Sequence, residues 1–102
     1  MSSHNYHLII TDEAEEDFKH ILSFTERLWG ERQADKYGNM LDKTLSVIEL
    51  SPESGKGDLP PYRYVRAGQH YIFYRLDGDA IFVVRIVHNK MDFARHLGDL
   101  LH

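Results

Sequence analysis

Residues 62–88 constrain the fold more than any other part of the chain. Three short runs rich in aromatic and β-branched residues lie at about 62–66, 70–76 and 80–88. Gly68 sits in the first gap and Asp77-Gly78-Asp79 in the second, which is turn chemistry suited to tight hairpins. So short a link returns a strand antiparallel to its predecessor, whereas a parallel pair needs a crossover of about a dozen residues. The stretch therefore reads as a β-meander. Tyr71-Ile72-Phe73-Tyr74 and Ile81-Phe82-Val83-Val84-Arg85-Ile86-Val87 are apolar enough to be buried strands. The meander ends in a polar group, His88-Asn89-Lys90-Met91-Asp92.

Upstream the periodicity changes. Tyr6, Leu8 and Ile10 alternate, which suggests a short strand over 6–10. Ala14, Phe18, Ile21, Leu22, Thr25, Leu28 and Trp29 then follow helical spacing over 12–29. Asp12 with Glu15 resembles a capping box, and the acidic first turn suits the helix dipole. Gly30 fits a left-handed stop. A second helix over 31–50 carries Ala34, Tyr37, Gly38, Leu41, Thr44, Leu45 and Ile48 on one face. The link is so short that the two helices form an antiparallel hairpin. Gly38 costs roughly 1 kcal/mol of helix propensity against alanine. It marks either a close approach of the two helices or simply a weak position.

Residues 51–61 read as a loop from their turn residues. Gly55-Lys56-Gly57 lacks the spacing and the following Ser or Thr of a phosphate loop. The tail from Phe93 to Leu101 reads as weakly helical. Helices grouped together and strands grouped together imply an α+β fold, βααβββ plus a C-terminal tail. The expected architecture is one domain over 1–102, an N-terminal strand and a helical hairpin packed on an antiparallel β-sheet. Phe18, Leu22, Leu41 and Leu45 are expected to face that sheet.

Composition narrows the function classes. The 102 residues include no cysteine, so disulfides and thiolate zinc sites are excluded, as suits a reducing cytoplasm. Neither a signal peptide nor an apolar run of about 18 residues is found. The net charge is −4. Residues 1–59 hold six basic against twelve acidic side chains, and residues 60–102 six against four. An acidic whole argues against strong direct nucleic-acid binding, though the sheet half is mildly basic.

The groups that could carry chemistry are Arg63, Arg66, Arg75, Arg85, His88, Lys90, Asp92 and His96. Strict alternation puts Arg85 opposite Val84 and Ile86, either ion-paired over the sheet edge or reaching an anionic ligand. His88, Asp92 and His96 have helical spacing, but His88 ends a strand, so no metal site is expected. The carboxylates from Asp12 to Asp17 read as a solvated helix face. No nucleophile elbow and no nucleotide-binding signature occur. No cofactor is expected.

Tyr6 to Ile10, Asp12-Glu13-Ala14-Glu15-Glu16-Asp17 and Glu26 to Ala34 resemble the ParE branch of the RelE/ParE toxin superfamily. So do Val65-Arg66-Ala67-Gly68-Gln69-His70-Tyr71-Ile72-Phe73-Tyr74-Arg75 and Val84-Arg85-Ile86-Val87-His88-Asn89-Lys90-Met91-Asp92. The resemblance implies the toxin of a type II toxin–antitoxin (ParDE-like, plasmid-stabilisation) system. Such a toxin is cytoplasmic, inhibits DNA gyrase without being an enzyme, and is neutralised by a ParD-like antitoxin in a hetero-oligomer. Arg66, Arg85, His88, Lys90 and Asp92 become the candidates for engaging the target. Phe18, Leu22, Trp29, Tyr37 and Leu41 become candidates for the antitoxin, through helix-in-groove docking or strand addition. A RelE-like, ribosome-dependent mRNA endoribonuclease is the alternative, with Arg66, Arg85, His88 and Lys90 as its catalytic candidates. No tyrosine follows His88, and Lys90 replaces the commoner arginine, which loses a planar fork. A degenerate toxin that only binds antitoxin is a third possibility.

Overall fold

The computed structural model describes residues 5–90. Its elements are β1 (His7–Ile10), α1 (Asp12–Trp29), α2 (Glu31–Leu50), a 3-10 turn (Pro52–Ser54), β2 (Lys56–Leu59), β3 (Tyr62–Ala67), β4 (His70–Asp77) and β5 (Ala80–His88). The sheet order is β1-β5-β4-β3-β2. The expected α+β arrangement holds, with both helices and the meander within a residue of their expected bounds.

The sheet is mixed rather than wholly antiparallel, because β1 lies parallel to β5, with His7 opposite Ala80 and Ile10 opposite Val83. Local periodicity carries no signal for the partner of an edge strand. The connection between β1 and β5 runs through the helical hairpin and then β2, β3 and β4, far beyond the crossover of about a dozen residues that a parallel pair requires. Residues 51–61 are also more ordered than a loop. β2 pairs irregularly with β3, and a cis Pro60-Pro61 bond precedes β3. Lys-Gly-Asp-Leu has no apolar alternation, so this strand is set by its pairing with β3 and by Leu59, which packs on the outer face of the sheet.

The cap of α1 is Thr11 rather than Asp12. The Thr11 hydroxyl accepts the Ala14 N–H at 3.3 Å and donates to the Val83 carbonyl at 2.8 Å. One side chain thus starts the helix and ties it to β5. Gly30, at φ 95°, closes α1 and opens α2. A Cβ at Gly38 would lie 3.3 Å from both Leu22 methyl carbons, so this glycine does mark a close approach.

Ala14, Ile21, Leu41, Leu45 and Ile48 from the helices meet Ile72, Tyr74, Ile81, Val83 and Ile86 from the sheet in the main core. Phe18 packs at its margin. Leu41 is fully buried, so it serves the core and offers no surface to an antitoxin. Tyr74, also fully buried, satisfies its hydroxyl by donating to the Pro52 carbonyl at 2.6 Å. Tyr64, Phe73 and Val87 form a second cluster with Tyr71, Val84 and Leu59. A bulge in β5 separates the two. Phe73 faces Arg85 and Tyr74 faces Val83, so Val84 is the extra residue. Val83 and Ile86 therefore join the main core while Val84 and Val87 join the second cluster, which strict alternation had not allowed.

Candidate functional site

The C-terminal half of α1 and the start of α2 meet the start of β4 and the end of β5 around an open groove of about 980 Å³. Its apolar wall includes Ile21, Phe24 and Trp29, and its polar floor Tyr37, His70 and His88. Phe24 is 56% exposed and Trp29 72%. Leu28 is also exposed, so the apolar stripe of α1 runs on past the part that the core covers. Pattern alone cannot tell a buried stripe from a stripe left for a partner.

Tyr37 fixes the floor. Its hydroxyl accepts the Gln69 N–H at 2.8 Å and lies 2.6 Å from His70 Nδ1. The Ala67 carbonyl is farther, at 3.4 Å. Because the His70 contact is the shorter of the two, we assign the tyrosine proton to His70 Nδ1 rather than to the Ala67 carbonyl, which puts the His70 proton on Nε2. Burial, with His88 adding to it, lowers the His70 pKa to about 4, so the ring is neutral at pH 7 and suited to accept. Burial also raises the Tyr37 pKa. Tyr37 stands here only because Gly68 clears the way. At φ 61° a Cβ on Gly68 would come within 2.7 Å of the Tyr37 oxygen and 2.8 Å of Met40 Cε.

His70 and His88 are cross-strand partners, with ring centroids 5.2 Å apart at 83°. His88 Nδ1 accepts the Lys90 N–H at 3.1 Å, and Gln69 accepts the Asn89 N–H at 2.7 Å. The pairing of His70 with His88 and Tyr37 was not foreseen. Its available signal was the register of β4 against β5, which brings the first residue of one strand beside the last of the other.

The expected site residues do not converge. Arg66 lies on the sheet face away from the helices, since its neighbours Val65 and Ala67 pack in the main core. Its Nε donates to the Gly68 carbonyl at 2.9 Å, and its guanidinium lies 5.8 Å from the Tyr71 ring centre. Arg85 is engaged by Asp17 of α1 through Nε at 2.7 Å and Nη2 at 2.9 Å. The hydrogen-bonded carboxylate raises the Arg85 pKa further. This is the ion-pair alternative for Arg85, and it removes the residue as a ready contact for a target. His88 and Lys90 are exposed at the end of the meander. Asp92 and His96, and the tail read as weakly helical, lie outside the described residues. Of the antitoxin candidates, Trp29 and Tyr37 line the groove, while Leu22 packs against Gly38 beneath it. No helix among the described residues is long and apolar enough to cross a membrane.

Residues 8–93 match the family model described as ParE toxin of type II toxin-antitoxin system, parDE. The chain is 33% identical to Toxin ParE1 of Caulobacter vibrioides, over 83% of this chain and 91% of the relative. It is 32% identical to Toxin ParE1 of Mycobacterium tuberculosis, over 87% and 95%, and 33% identical to Toxin ParE of Escherichia coli, over 91% and 94%. Its fold is similar to that of a chain from the chromosomal ParDE TA system of P. aeruginosa, with a TM-score of 0.75 and 21% identity, covering 84% of this chain and 98% of that one.

Proposed function

The chain belongs to the ParE toxin family of type II toxin–antitoxin systems, and on that premise we propose that it poisons DNA gyrase by surface contact and is silenced by a ParD-like antitoxin seated in the groove under its helical hairpin. The observation that carries the antitoxin half is the exposed Phe24 and Trp29 on the wall of a 980 Å³ groove. Large exposed aromatics beside a concave apolar wall are what an amphipathic helix uses as anchors. The partner's extended flank has β1 to pair with, where Ile9 and Ile10 are exposed at the sheet edge. The product is a hetero-oligomer in the cytoplasm, where gyrase works.

The gyrase half is supported by what the basic residues do. Phosphodiester cleavage needs positive charge at the phosphate beside a poised acid/base pair. Here Arg66 points away from the helices, Arg85 is held by Asp17, and Lys90 stands past the end of β5. A surface that grips a protein needs no such convergence. Arg66, His88 and Lys90 remain the residues proposed to touch the target.

Induction of the chain in cells, with DNA breakage and mRNA cleavage read in parallel, tests this. Breaks and a DNA-damage response without codon-positioned mRNA cuts are expected. Ribosome-dependent cuts without breaks would transfer the reading to the ribonuclease branch. Unimpaired growth with retained antitoxin binding would mark a degenerate toxin.

A further inference from the structure

The groove is sorted by charge. The chain carries 16 acidic side chains, yet none of them lines the groove among the described residues. The acids of α1 gather instead at its first turns, where Asp12, Glu13, Glu16 and Asp17 surround a separate depression. The groove presents Arg27 and three histidines, and Arg27 forms no ion pair among the described residues. A cleft built only for apolar side chains has no use for such sorting.

His70 gives the sorting a direction. Its Nδ1 is taken by the Tyr37 hydroxyl at 2.6 Å, and Tyr37 is in turn held by the Gln69 N–H at 2.8 Å. With the proton on Nε2, His70 lines the groove as a donor that meets no acceptor among the described residues. A half-buried donor without a partner gains from an incoming acceptor, and gains most from an ionised one. The His88 ring stands nearly perpendicular to His70, and its own Nδ1 already accepts the Lys90 N–H. In its neutral form His88 therefore also offers Nε2–H.

We propose that this corner of the groove is a carboxylate subsite: an Asp or Glu side chain on the antitoxin helix accepts the His70 Nε2–H, while the next turn of that helix lays an apolar side chain against Phe24 and Trp29. The assignment rests on the antitoxin being seated in the groove, and it adds the residue types that the antitoxin must bring. An acid and an apolar residue one helical turn apart share a face, so the bound segment carries that pair. Arg27, on the same helix as Phe24 and Trp29, adds a complementary charge to the groove. Tyr37 is a positioning residue, because it decides which His70 nitrogen bears the proton. A lysine in place of the antitoxin's acid would bring a donor to a donor and a like charge to Arg27. The subsite thus rejects a foreign antitoxin as well as selecting its own.

The test uses the full chain and the antitoxin encoded beside it. Each Asp and Glu of the antitoxin is changed in turn to Asn or Gln. Affinities are measured against the parent and against His70→Phe, which keeps a ring and lets the Tyr37 hydroxyl turn to the Ala67 carbonyl. One acid should lose about tenfold or more in affinity against the parent, the scale of a hydrogen bond to a charged group, and little against His70→Phe. Trp29 is the chain's single tryptophan, so a 5-fluorotryptophan label reports on the groove alone, and its signal should move when antitoxin binds. Imidazole nitrogen spectra of the parent decide the matter even if His70→Phe fails to fold. The free chain should show His70 protonated at Nε2, and that proton should move downfield in the complex. A Trp29 signal unmoved by bound antitoxin would overturn the proposal together with the antitoxin reading of the groove. A moved signal with no acid coupled to His70, or a His70 protonated at Nδ1, would overturn the carboxylate subsite alone.

Discussion

Arg85 on β5 and Asp17 on α1 form a two-pronged ion pair, and the same Asp17 carboxylate accepts the Ile86 N–H at 2.9 Å. The bulge at Val84 puts Arg85 beside Phe73 on the face turned from the helices, so its guanidinium reaches Asp17 around the edge of β5, which β1 pairs only as far as Val83. Helix and sheet are thereby locked in one register at the edge that β1 does not reach. Arg85→Ala leaves a partly buried carboxylate without its counter-charge. The expected loss is about 3 kcal/mol, the lower end for removing one member of a buried pair. Chemical denaturation checks it, and a loss below about 0.5 kcal/mol would place the pair among ordinary surface contacts.

His70 makes stability depend on pH. Its pKa is lowered from 6.5 to about 4 in the folded chain. Between those values the unfolded chain binds a proton that the folded chain refuses. The contribution of His70 is therefore complete above pH 6.5 and is lost as the pH falls toward about 4. Acid unfolding draws on more than one group, so the test is the difference between the parent and His70→Gln. Urea midpoints measured across the window should fall more steeply for the parent. Parallel curves would show that His70 is not the group responsible.

Leu41 and Trp29 should behave oppositely. Leu41→Ala opens a cavity in the main core and should cost about 2–5 kcal/mol of stability. Trp29→Ala removes an exposed ring and should change stability by about 0.5 kcal/mol or less. Its effect should fall on the antitoxin, with a loss of about 2 kcal/mol or more in affinity, as for a central anchor. Titration calorimetry against the antitoxin, beside thermal melts, separates the two. Unchanged affinity in Trp29→Ala would remove the groove from the antitoxin interface.

His88→Ala combined with Lys90→Ala should lower toxicity while the fold and antitoxin binding persist. Both side chains are exposed, and surface changes of this kind shift stability by about 0.5 kcal/mol or less. Growth assays with matched expression levels provide the comparison. Full toxicity in a folded double variant would move the active surface to the sheet face that bears Arg66.

Much of the fold was legible because its signals are local. Gly68 and Gly78, at φ 61° and 60°, sit in the two hairpin turns where short gaps demanded them. The helices ended at Gly30 because that glycine interrupts two apolar stripes. The rest depended on contacts between distant residues. The parallel partner of β1, the extra residue Val84 and the strand at Lys56–Leu59 are all set by pairing rather than by periodicity. The site was less legible for the same reason. Leu41 and Trp29 lie on stripes of the same kind, and only the end of the sheet decides which is covered. Tyr37, His70 and His88 come from three elements, and no spacing in the sequence links them.

The most direct measurement is made with purified components. The chain is added to DNA gyrase and relaxed plasmid with ATP, then the DNA is stripped of protein and resolved on a gel, with and without antitoxin. Loss of supercoiling with accumulation of cleaved plasmid, both reversed by the antitoxin, is the expected result. Normal supercoiling without cleaved DNA, from a folded chain that instead cuts mRNA in a translating extract, would contradict it.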